Sequence, residues 1–298
     1  MRGSLLLVLV PLLTVCAGGV SFTETDAKAA LGAATGLVKA CTPRNAGTIE
    51  GRLAANWIRN TAYRMGANAE IDVFTARVYS ETAQFANVVA EFPAENPGAP
   101  WIVLMSHYDT APNVGVGFEG ANDGASTVGL LLAFGKVLRR GKGSLKYNVM
   151  LAWTDAEECR IAYGPHDGFQ GSRRLLETFR KTNRTVRAVI CLDMLGDRDL
   201  NIELPANTTP ELRDLALKAA RTAGVANKVS VRDTIVVKDD HSAFYDAGIP
   251  AIDLIDFDFG SARGKNDYWH TPKDTLDKIS EASLLASGKL VAELLNLL

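Results

Sequence analysis

The sequence contains few cysteines and few histidines, and neither sign of charge predominates. Among 298 residues there are four cysteines and four histidines, and the formal net charge is −2. Only Cys41, Cys159 and Cys191 lie beyond the N-terminal region, so at most one disulfide can form and a disulfide framework is excluded. A nearly neutral chain offers no electrostatic basis for binding nucleic acid. We therefore expect a small or peptide-like partner.

Long apolar runs are also scarce, and the longest one lies at the N-terminus. Residues 5–15 are apolar and follow a short positive region, but they are too few to span a bilayer. Because Val15-Cys16-Ala17 provides small residues for cleavage, residues 1–17 are predicted to be a secretory signal. The protein is then expected to be secreted or periplasmic, without a membrane span. Lipid attachment at Cys16, or an uncleaved anchor, is the alternative.

The remainder of the chain has the pattern of one α/β domain. With 47% apolar and 22% charged residues, it can bury a large core. Residues 22–298 contain no repeat, low-complexity tract or linker, so they are predicted to form a single domain. Continuous apolar runs separated by helical patterns indicate a largely parallel sheet with helices on both faces. Buried strands are predicted at 101–106, 147–153, 186–192 and 249–255, further strands within 71–92 and at 229–237, and helices at 25–41, 50–65, 124–139, 171–180, 210–223, 242–247 and 280–297.

Acidic and histidine residues follow the ends of the four buried strands. Ligands of open α/β sheets bind beyond the carboxyl ends of the strands, so these side chains are expected to meet at one place. Any one of them could be a helix cap or a solvated charge. Together they include three of the four histidines of the chain. The candidates are His107, Asp109, Asp123, Glu157, Glu158, Asp193, Asp239, Asp240, His241 and His270.

The residue types at these positions favour a zinc site. Zinc binds imidazole nitrogen and carboxylate oxygen, and a histidine ligand needs an acceptor that fixes its tautomer. Asp109, two residues after His107, is expected to be that acceptor. Of the adjacent Glu157 and Glu158, one can bind metal while the other acts as a general base or acid. No nucleophile elbow, P-loop or dinucleotide fingerprint competes with this interpretation.

The motifs, taken in order, resemble those of the zinc aminopeptidase and glutaminyl cyclase superfamily, peptidase clan MH, family M28. They are SHYDT, GANDGAS, TDAEE, CLDMLGD, KDDHSAF, GIPAIDLID and YWHTPKDT. The resemblance implies a single-domain phosphorylase/hydrolase-like zinc exopeptidase fold with a mixed, mostly parallel central sheet. It also implies that Asp123, Glu158 and His270 bind one zinc and that Glu157 is the catalytic acid/base. In dinuclear aminopeptidases, the positions of His107 and Asp193 bind a second metal that shares Asp123.

The surroundings of this ligand set resemble the type II glutaminyl-peptide cyclotransferase branch most closely. Trp269 precedes the last ligand, as in the cyclases, and Tyr163 falls where the cyclases place an aromatic pocket wall. The KDDH segment resembles their QDDH, which implies a catalytic hydrogen-bond relay of Asp239 with Asp193 and Glu157. The chain departs from the branch at two positions. Lys238 replaces a glutamine, and Ser106 replaces the cysteine of the animal enzymes, so their disulfide is not expected.

Two reactions on peptides with a free N-terminus remain open. The preferred one is zinc-dependent conversion of an N-terminal glutamine to pyroglutamate with release of ammonia, which requires one zinc. The alternative is hydrolytic removal of N-terminal residues by an aminopeptidase that uses two metals. A non-catalytic binding protein on a degenerate peptidase fold is a third possibility. It predicts loss of Glu157 or of a ligand, and all are retained.

Overall fold

The computed structural model describes residues 19–143 and 145–298, so the signal predicted at 1–17 lies outside the described residues. The helices are α1 (Glu24–Ala40), α2 (Ile49–Arg64), α3 (Thr127–Arg140), α4 (Gln170–Lys181), α5 (Pro210–Thr222), α6 (His241–Tyr245) and α7 (Glu281–Leu297). The strands are β1 (Ala69–Val78), β2 (Glu81–Phe92), β3 (Trp101–His107), β4 (Asn148–Thr154), β5 (Val186–Asp193), β6 (Ile202–Pro205), β7 (Val229–Arg232) and β8 (Ala251–Ile255).

All eight strands form one sheet, in the order β1-β2-β4-β3-β5-β8-β6-β7. The central strands β4, β3, β5 and β8 are mutually parallel. The hairpin of β1 and β2 adds to β4 in antiparallel fashion, and β6 is antiparallel to β8 and parallel to β7. The predicted mixed, mostly parallel sheet is therefore confirmed. The carboxyl ends of four adjacent strands come to one edge, where open α/β sheets place their ligands.

Helices cover both faces of the sheet because the strands are apolar on both sides. Alternate side chains of a strand point to opposite faces. Ile102 and Leu104 of β3 join the large core beneath α1, α3, α5 and α7. Val103 and Met105 join a smaller core on the other face, beneath α4 and α6. β3 is thus buried throughout, which holds its last residue, His107, in a fixed position.

The helix that follows Asp123 is held tightly against the N-terminal helix. A Cβ on Gly129 of α3 would lie 2.3 Å from the carbonyl oxygen of Ala30 in α1, so the two backbones approach too closely for a larger residue. Gly124 is constrained in the same way, because its Cβ would lie 2.6 Å from the carbonyl oxygen of His107. These two contacts fix the segment that presents the Asp123 carboxylate beside the end of β3.

The structure corrects the sequence prediction at three places. α3 begins at Thr127 rather than 124, because an irregular turn over Ala121–Ser126 precedes it. The strand expected at 229–237 ends at Arg232, since the apolar residues after it line a cavity instead of extending the sheet. β6 was not predicted, because four residues that end in proline give little periodic signal.

Two further observations bear on the sequence expectations. Cys41, Cys159 and Cys191 are all free thiols, and none of them forms a disulfide. Within the described ranges, none of the helices has the length and hydrophobicity needed to cross a membrane.

Candidate active site

Two groups of ligand-type side chains meet at the carboxyl edge of the sheet and share Asp123. In the first group, His270 Nε2 lies 3.0 Å from Glu158 Oε1 and 3.4 Å from Asp123 Oδ2. In the second, His107 Nε2 lies 3.1 Å from Asp123 Oδ1 and 3.2 Å from Asp193 Oδ1. β3, β5 and the turn after β4 supply His107, Asp193 and Glu158, while two loops supply the other two residues.

This donor set fits metal ions. Within each group of three, the possible ligand atoms lie within 4.8 Å of one another. The three carboxylates, of Asp123, Glu158 and Asp193, are buried. In the described part of the chain they form ion pairs with histidine but with no lysine or arginine. Buried like charges require a counter-charge, and an N/O set of this kind suits zinc.

Without a bound cation, the two imidazoles balance these carboxylates. Burial opposes charge on His107, but Asp109, Asp123 and Asp193 together raise its pKa well above the ordinary value. Burial likewise opposes charge on His270, and the contacts with Asp123 and Glu158 raise its pKa to about 10. Metal ligands must be deprotonated, so metal binding here would release protons.

Glu157 differs from its neighbours because its carboxylate forms no hydrogen bond or ion pair within the described ranges. Burial, and then the charge of Glu158, raise the pKa of Glu157 well above its ordinary value. Burial and the charge of Asp193 raise the pKa of Asp239 to about 7. A carboxyl group with a raised pKa, free to bind and release a proton, is what proton transfer near neutral pH requires.

Asp109 contacts both groups. It was expected to accept a hydrogen bond from His107, and it does so through its backbone rather than its carboxylate. Its backbone carbonyl oxygen lies 3.2 Å from His107 Nδ1, whereas its carboxylate lies 3.7 Å from that nitrogen. The carboxylate oxygens instead accept the backbone N–H groups of Glu157 at 3.2 Å and Glu158 at 3.1 Å. Asp109 therefore orients the histidine through its main chain and the paired glutamates through its side chain.

The motifs did not identify Asp274 as a site residue, although it lies within YWHTPKDT. Its side chain is fully buried, and its two oxygens accept the backbone N–H groups of Asn122 at 2.7 Å and Asp123 at 3.1 Å. It therefore fixes the main chain at the carboxylate shared by both ligand groups. The available signal was an acidic residue four positions after His270.

Arg44 was also missed, and it holds the loop between β3 and Asp123. Its buried guanidinium donates to the carbonyl oxygens of Tyr108 at 2.6 Å, Glu119 at 2.8 Å and Gly120 at 2.6 Å. One side chain thus clamps both ends of the glycine-rich loop. The buried arginine satisfies backbone groups and leaves the metal-ligating carboxylates without a cationic partner.

A cavity of about 210 Å³ opens beside the two ligand groups, and both predicted pocket residues line it. The Trp269 ring stacks on the His270 ring, with centroids 4.0 Å apart, and lies 5.2 Å from the Phe257 ring. The Tyr163 hydroxyl donates to Glu158 Oε2 at 3.2 Å. Glu157, Asp193 and Asp239 also reach the cavity, whereas Asp109, Asp240 and His241 do not line it.

We expect Tyr163→Phe to weaken metal binding without disturbing the pocket wall. The variant loses a hydrogen bond to a carboxylate. Such a bond contributes about 1.5–3 kcal/mol, which corresponds to a loss of at least about tenfold in metal affinity. The ring should remain stacked on Phe169, whose centroid lies 4.8 Å away. Competition with a chelator measures the affinity. Tyr63→Phe, which changes a tyrosine that is 74% exposed, is the matched control, and equal affinities in the two variants would contradict the role of the hydroxyl.

The fold and the site together define a metal-dependent α/β enzyme whose ligands lie at the carboxyl edge of the sheet. A family model makes the assignment specific. The model of peptidase family M28 matches residues 87–295, and the chain belongs to this family. The resemblance drawn from the motifs is thereby confirmed. The protein is an enzyme of the superfamily that contains glutaminyl cyclases and aminopeptidases.

Relatives of both kinds are similar to the chain. The crystal structure of a glutaminyl cyclase from an Acidobacteriales bacterium superposes with a TM-score of 0.84 at 33% identity, covering 93% of this chain and 96% of that one. The glutaminyl-peptide cyclotransferase of Drosophila melanogaster is 26% identical over 269 residues, or 81% of this chain and 73% of the relative. An aminopeptidase of Bacillus subtilis is 27% identical over 234 residues, which cover 76% of this chain and 46% of the relative.

Proposed function

We propose that the protein is a zinc-dependent glutaminyl-peptide cyclotransferase, which converts the N-terminal glutamine of a peptide to pyroglutamate. The observation that carries the proposal is the small cavity in which Trp269 stacks on His270 and faces the same space as Glu157. Its aromatic walls suit the side chain of one residue. The similarity to glutaminyl cyclases from an Acidobacteriales bacterium and from Drosophila supports the same reaction.

In this proposal Asp123, Glu158 and His270 hold one zinc ion. When bound there, zinc supplies a Lewis acid that would polarise the γ-amide carbonyl of the substrate glutamine. Trp269 and Tyr163 border the space for the glutamine side chain and would orient its amide. Asp109 and Asp274 hold the main chain that carries three of the groups involved, the Glu157, Glu158 and Asp123 carboxylates.

Glu157 would transfer the proton that the reaction moves. The α-amino nitrogen attacks the γ-carbonyl carbon while Glu157 accepts a proton from that nitrogen. The bond from the γ-carbon to the amide nitrogen then breaks, and Glu157 returns the proton so that ammonia leaves. Because burial raises the pKa of Glu157, its carboxyl group is a competent donor in the second half of the cycle. The charge of Asp239 would raise this pKa further, and Asp193 in turn raises the pKa of Asp239.

One observation favours a second candidate, an aminopeptidase. His107, Asp123 and Asp193 offer ligand atoms within 4.8 Å of one another, so a second metal could be bound beside the first. The aminopeptidase relative from Bacillus subtilis is consistent with this reaction. Glu157 would then accept a proton from a water molecule that attacks the first peptide bond, and the free N-terminal amino acid would be released.

Two peptides that differ only in their first residue separate the candidates. The zinc-loaded protein is incubated with a glutamine-initiated and a leucine-initiated peptide, and ammonia and free amino acids are quantified. We expect ammonia in a 1:1 ratio with pyroglutamyl peptide from the first, and no leucine from the second. A peptide with preformed pyroglutamate controls for background. Leucine release without ammonia would refute the cyclase proposal, and two tightly bound zinc ions per chain would favour the aminopeptidase.

A further inference from the structure

A cluster of polar side chains lies behind the catalytic cavity, within the smaller core. This buried acidic cluster comprises Cys191, Asp239, Asp240, His241 and Asp253, and each is at most 3% exposed. Nine buried side-chain nitrogen or oxygen atoms in the described ranges lack a hydrogen-bond partner, and five of them belong to this cluster. Such atoms are rare in folded proteins, so their concentration here requires an explanation. They are Asp239 Oδ2, Asp240 Oδ1, His241 Nδ1 and both oxygens of Asp253.

The cluster is connected to the catalytic cavity through Asp239. Asp253 lies in the middle of β8, opposite Cys191 of β5. Ligand-type atoms of Cys191, Asp239 and Asp253 lie within 4.8 Å of one another. Asp239 lines the cavity that contains Glu157, whereas Asp253 does not. The Asp239 carboxylate therefore connects Asp253 to the catalytic cavity.

The hydrogen bonds of the cluster indicate which carboxyl group carries a proton. Asp240 accepts the Thr154 hydroxyl at 2.5 Å. Asp239 accepts the Cys191 thiol at 3.5 Å and the backbone N–H of Asp240. Asp253 accepts no hydrogen bond from any described residue. A fully buried carboxylate without a donor or a cation is far more costly than the neutral acid.

The neighbouring histidine does not provide the missing cation. His241 Nε2 lies 2.8 Å from the side-chain amide nitrogen of Asn207 and accepts its proton, which leaves the histidine proton on Nδ1. Burial lowers the pKa of His241 to about 3, so the ring is neutral. Its Nδ1 is 3.7 Å from Asp253 Oδ2, which is beyond hydrogen-bond distance. The other charged groups that act on Asp253 are the carboxylates of Asp239, Asp193 and Asp240.

We propose that Asp253 is protonated in the resting enzyme and donates its carboxyl O–H to Asp239 Oδ2, which makes it a positioning residue for the Asp239 carboxylate. This hydrogen bond would satisfy two of the unpaired oxygens, Asp239 Oδ2 and one oxygen of Asp253. Burial, followed by the charges of Asp239 and Asp193, raises the pKa of Asp253 well above its usual range, which agrees with this assignment. The inference rests on the proposed function only in that Glu157 transfers protons, which both candidate reactions require.

Two substitutions at Asp253 separate hydrogen-bond donation from charge and from packing. Asp253→Asn keeps a donor and an acceptor in the shape of the neutral acid. Asp253→Leu keeps the branching of the side chain, is somewhat larger, and cannot donate a hydrogen bond. We expect the asparagine variant to retain kcat to within about threefold and the leucine variant to lose about 10- to 100-fold, at unchanged KM. Leucine also leaves the buried Asp239 Oδ2 without a donor, so Tm is measured for each variant and kcat is taken on the folded enzyme. A purely structural role would lower Tm and leave the kcat of the folded enzyme unchanged.

Three outcomes would overturn the proposal. The first is that Asp253→Asn loses as much activity as Asp253→Leu, since an ionised carboxylate would then be required. The second is that the wild type binds one more metal ion per chain than Asp253→Asn, since the cluster would then be a cation site. The third is that the infrared carboxylic-acid band of the wild type at neutral pH does not decrease in Asp253→Asn.

These readouts are independent of which reaction the enzyme performs. If the wild type releases leucine and no ammonia, the proposed cyclase fails, and the same variants are compared on the leucine-initiated peptide. If neither peptide is turned over, the infrared band and the metal content still test the protonation of Asp253.

Discussion

Replacing Glu157 with glutamine is expected to lower kcat by about 10²- to 10⁴-fold for either candidate reaction, because general acid–base catalysis contributes roughly that factor. Glutamine keeps the shape of the side chain and cannot accept the proton that the reaction transfers. The metal should remain bound, since Asp123, Glu158 and His270 are unchanged. The measurement is single-turnover kinetics on the glutamine-initiated peptide, together with metal content per chain.

An exposed glutamate away from the site provides the control. Glu177 lies on α4, and its side chain is 53% exposed and paired with Lys181. Glu177→Gln should preserve both kcat and metal content. If Glu157→Gln retains turnover with metal bound, then Glu157 is not the proton carrier, and Asp193 or Asp239 must be tested in its place.

The elements that the sequence revealed share one physical property, burial on both faces. β3 is buried at every position, so its apolar run is continuous and ends where the chain leaves the core, at His107. Segments at the edge of the fold have no such property. Residues 235–237 have the β-branched composition of a strand, but they line the catalytic cavity, and no local pattern distinguishes these two environments.

The sequence predicted the site residues that offer a ligand atom. It did not predict those that hydrogen-bond to the backbone and fix its position. His107, Glu158 and Asp193 stood out because polar side chains follow apolar strands. Arg44 and Asp274 were missed because charged residues are expected at the surface, whereas these two are buried and bond to backbone groups. Their partners are distant in sequence, and only the folded chain brings them together. Asp253 was not predicted as a site residue either, because its role depends on the tertiary contact with Asp239, which the strand pattern of IPAIDLI does not reveal.

Asp274→Ala is expected to weaken metal binding by about 10- to 100-fold, the usual effect of removing a group that orients a metal ligand. The carboxylate of Asp274 accepts the backbone N–H groups of both Asn122 and Asp123, so alanine leaves two buried donors unpaired. Each unpaired donor costs about 1–3 kcal/mol of folding stability. The free energy of unfolding should therefore fall even without metal.

The two effects are separable by experiment. Chelator competition gives the zinc affinity, and urea unfolding of the metal-free protein gives the stability. Asp277→Ala, which removes a carboxylate that is 69% exposed in the same segment, is the matched control. If Asp274 acts on the shared Asp123 ligand, a large excess of zinc should restore kcat in Asp274→Ala while the stability stays reduced. If Asp274→Ala loses stability but binds zinc as tightly as the control, then Asp274 stabilises the loop and does not orient the metal ligand.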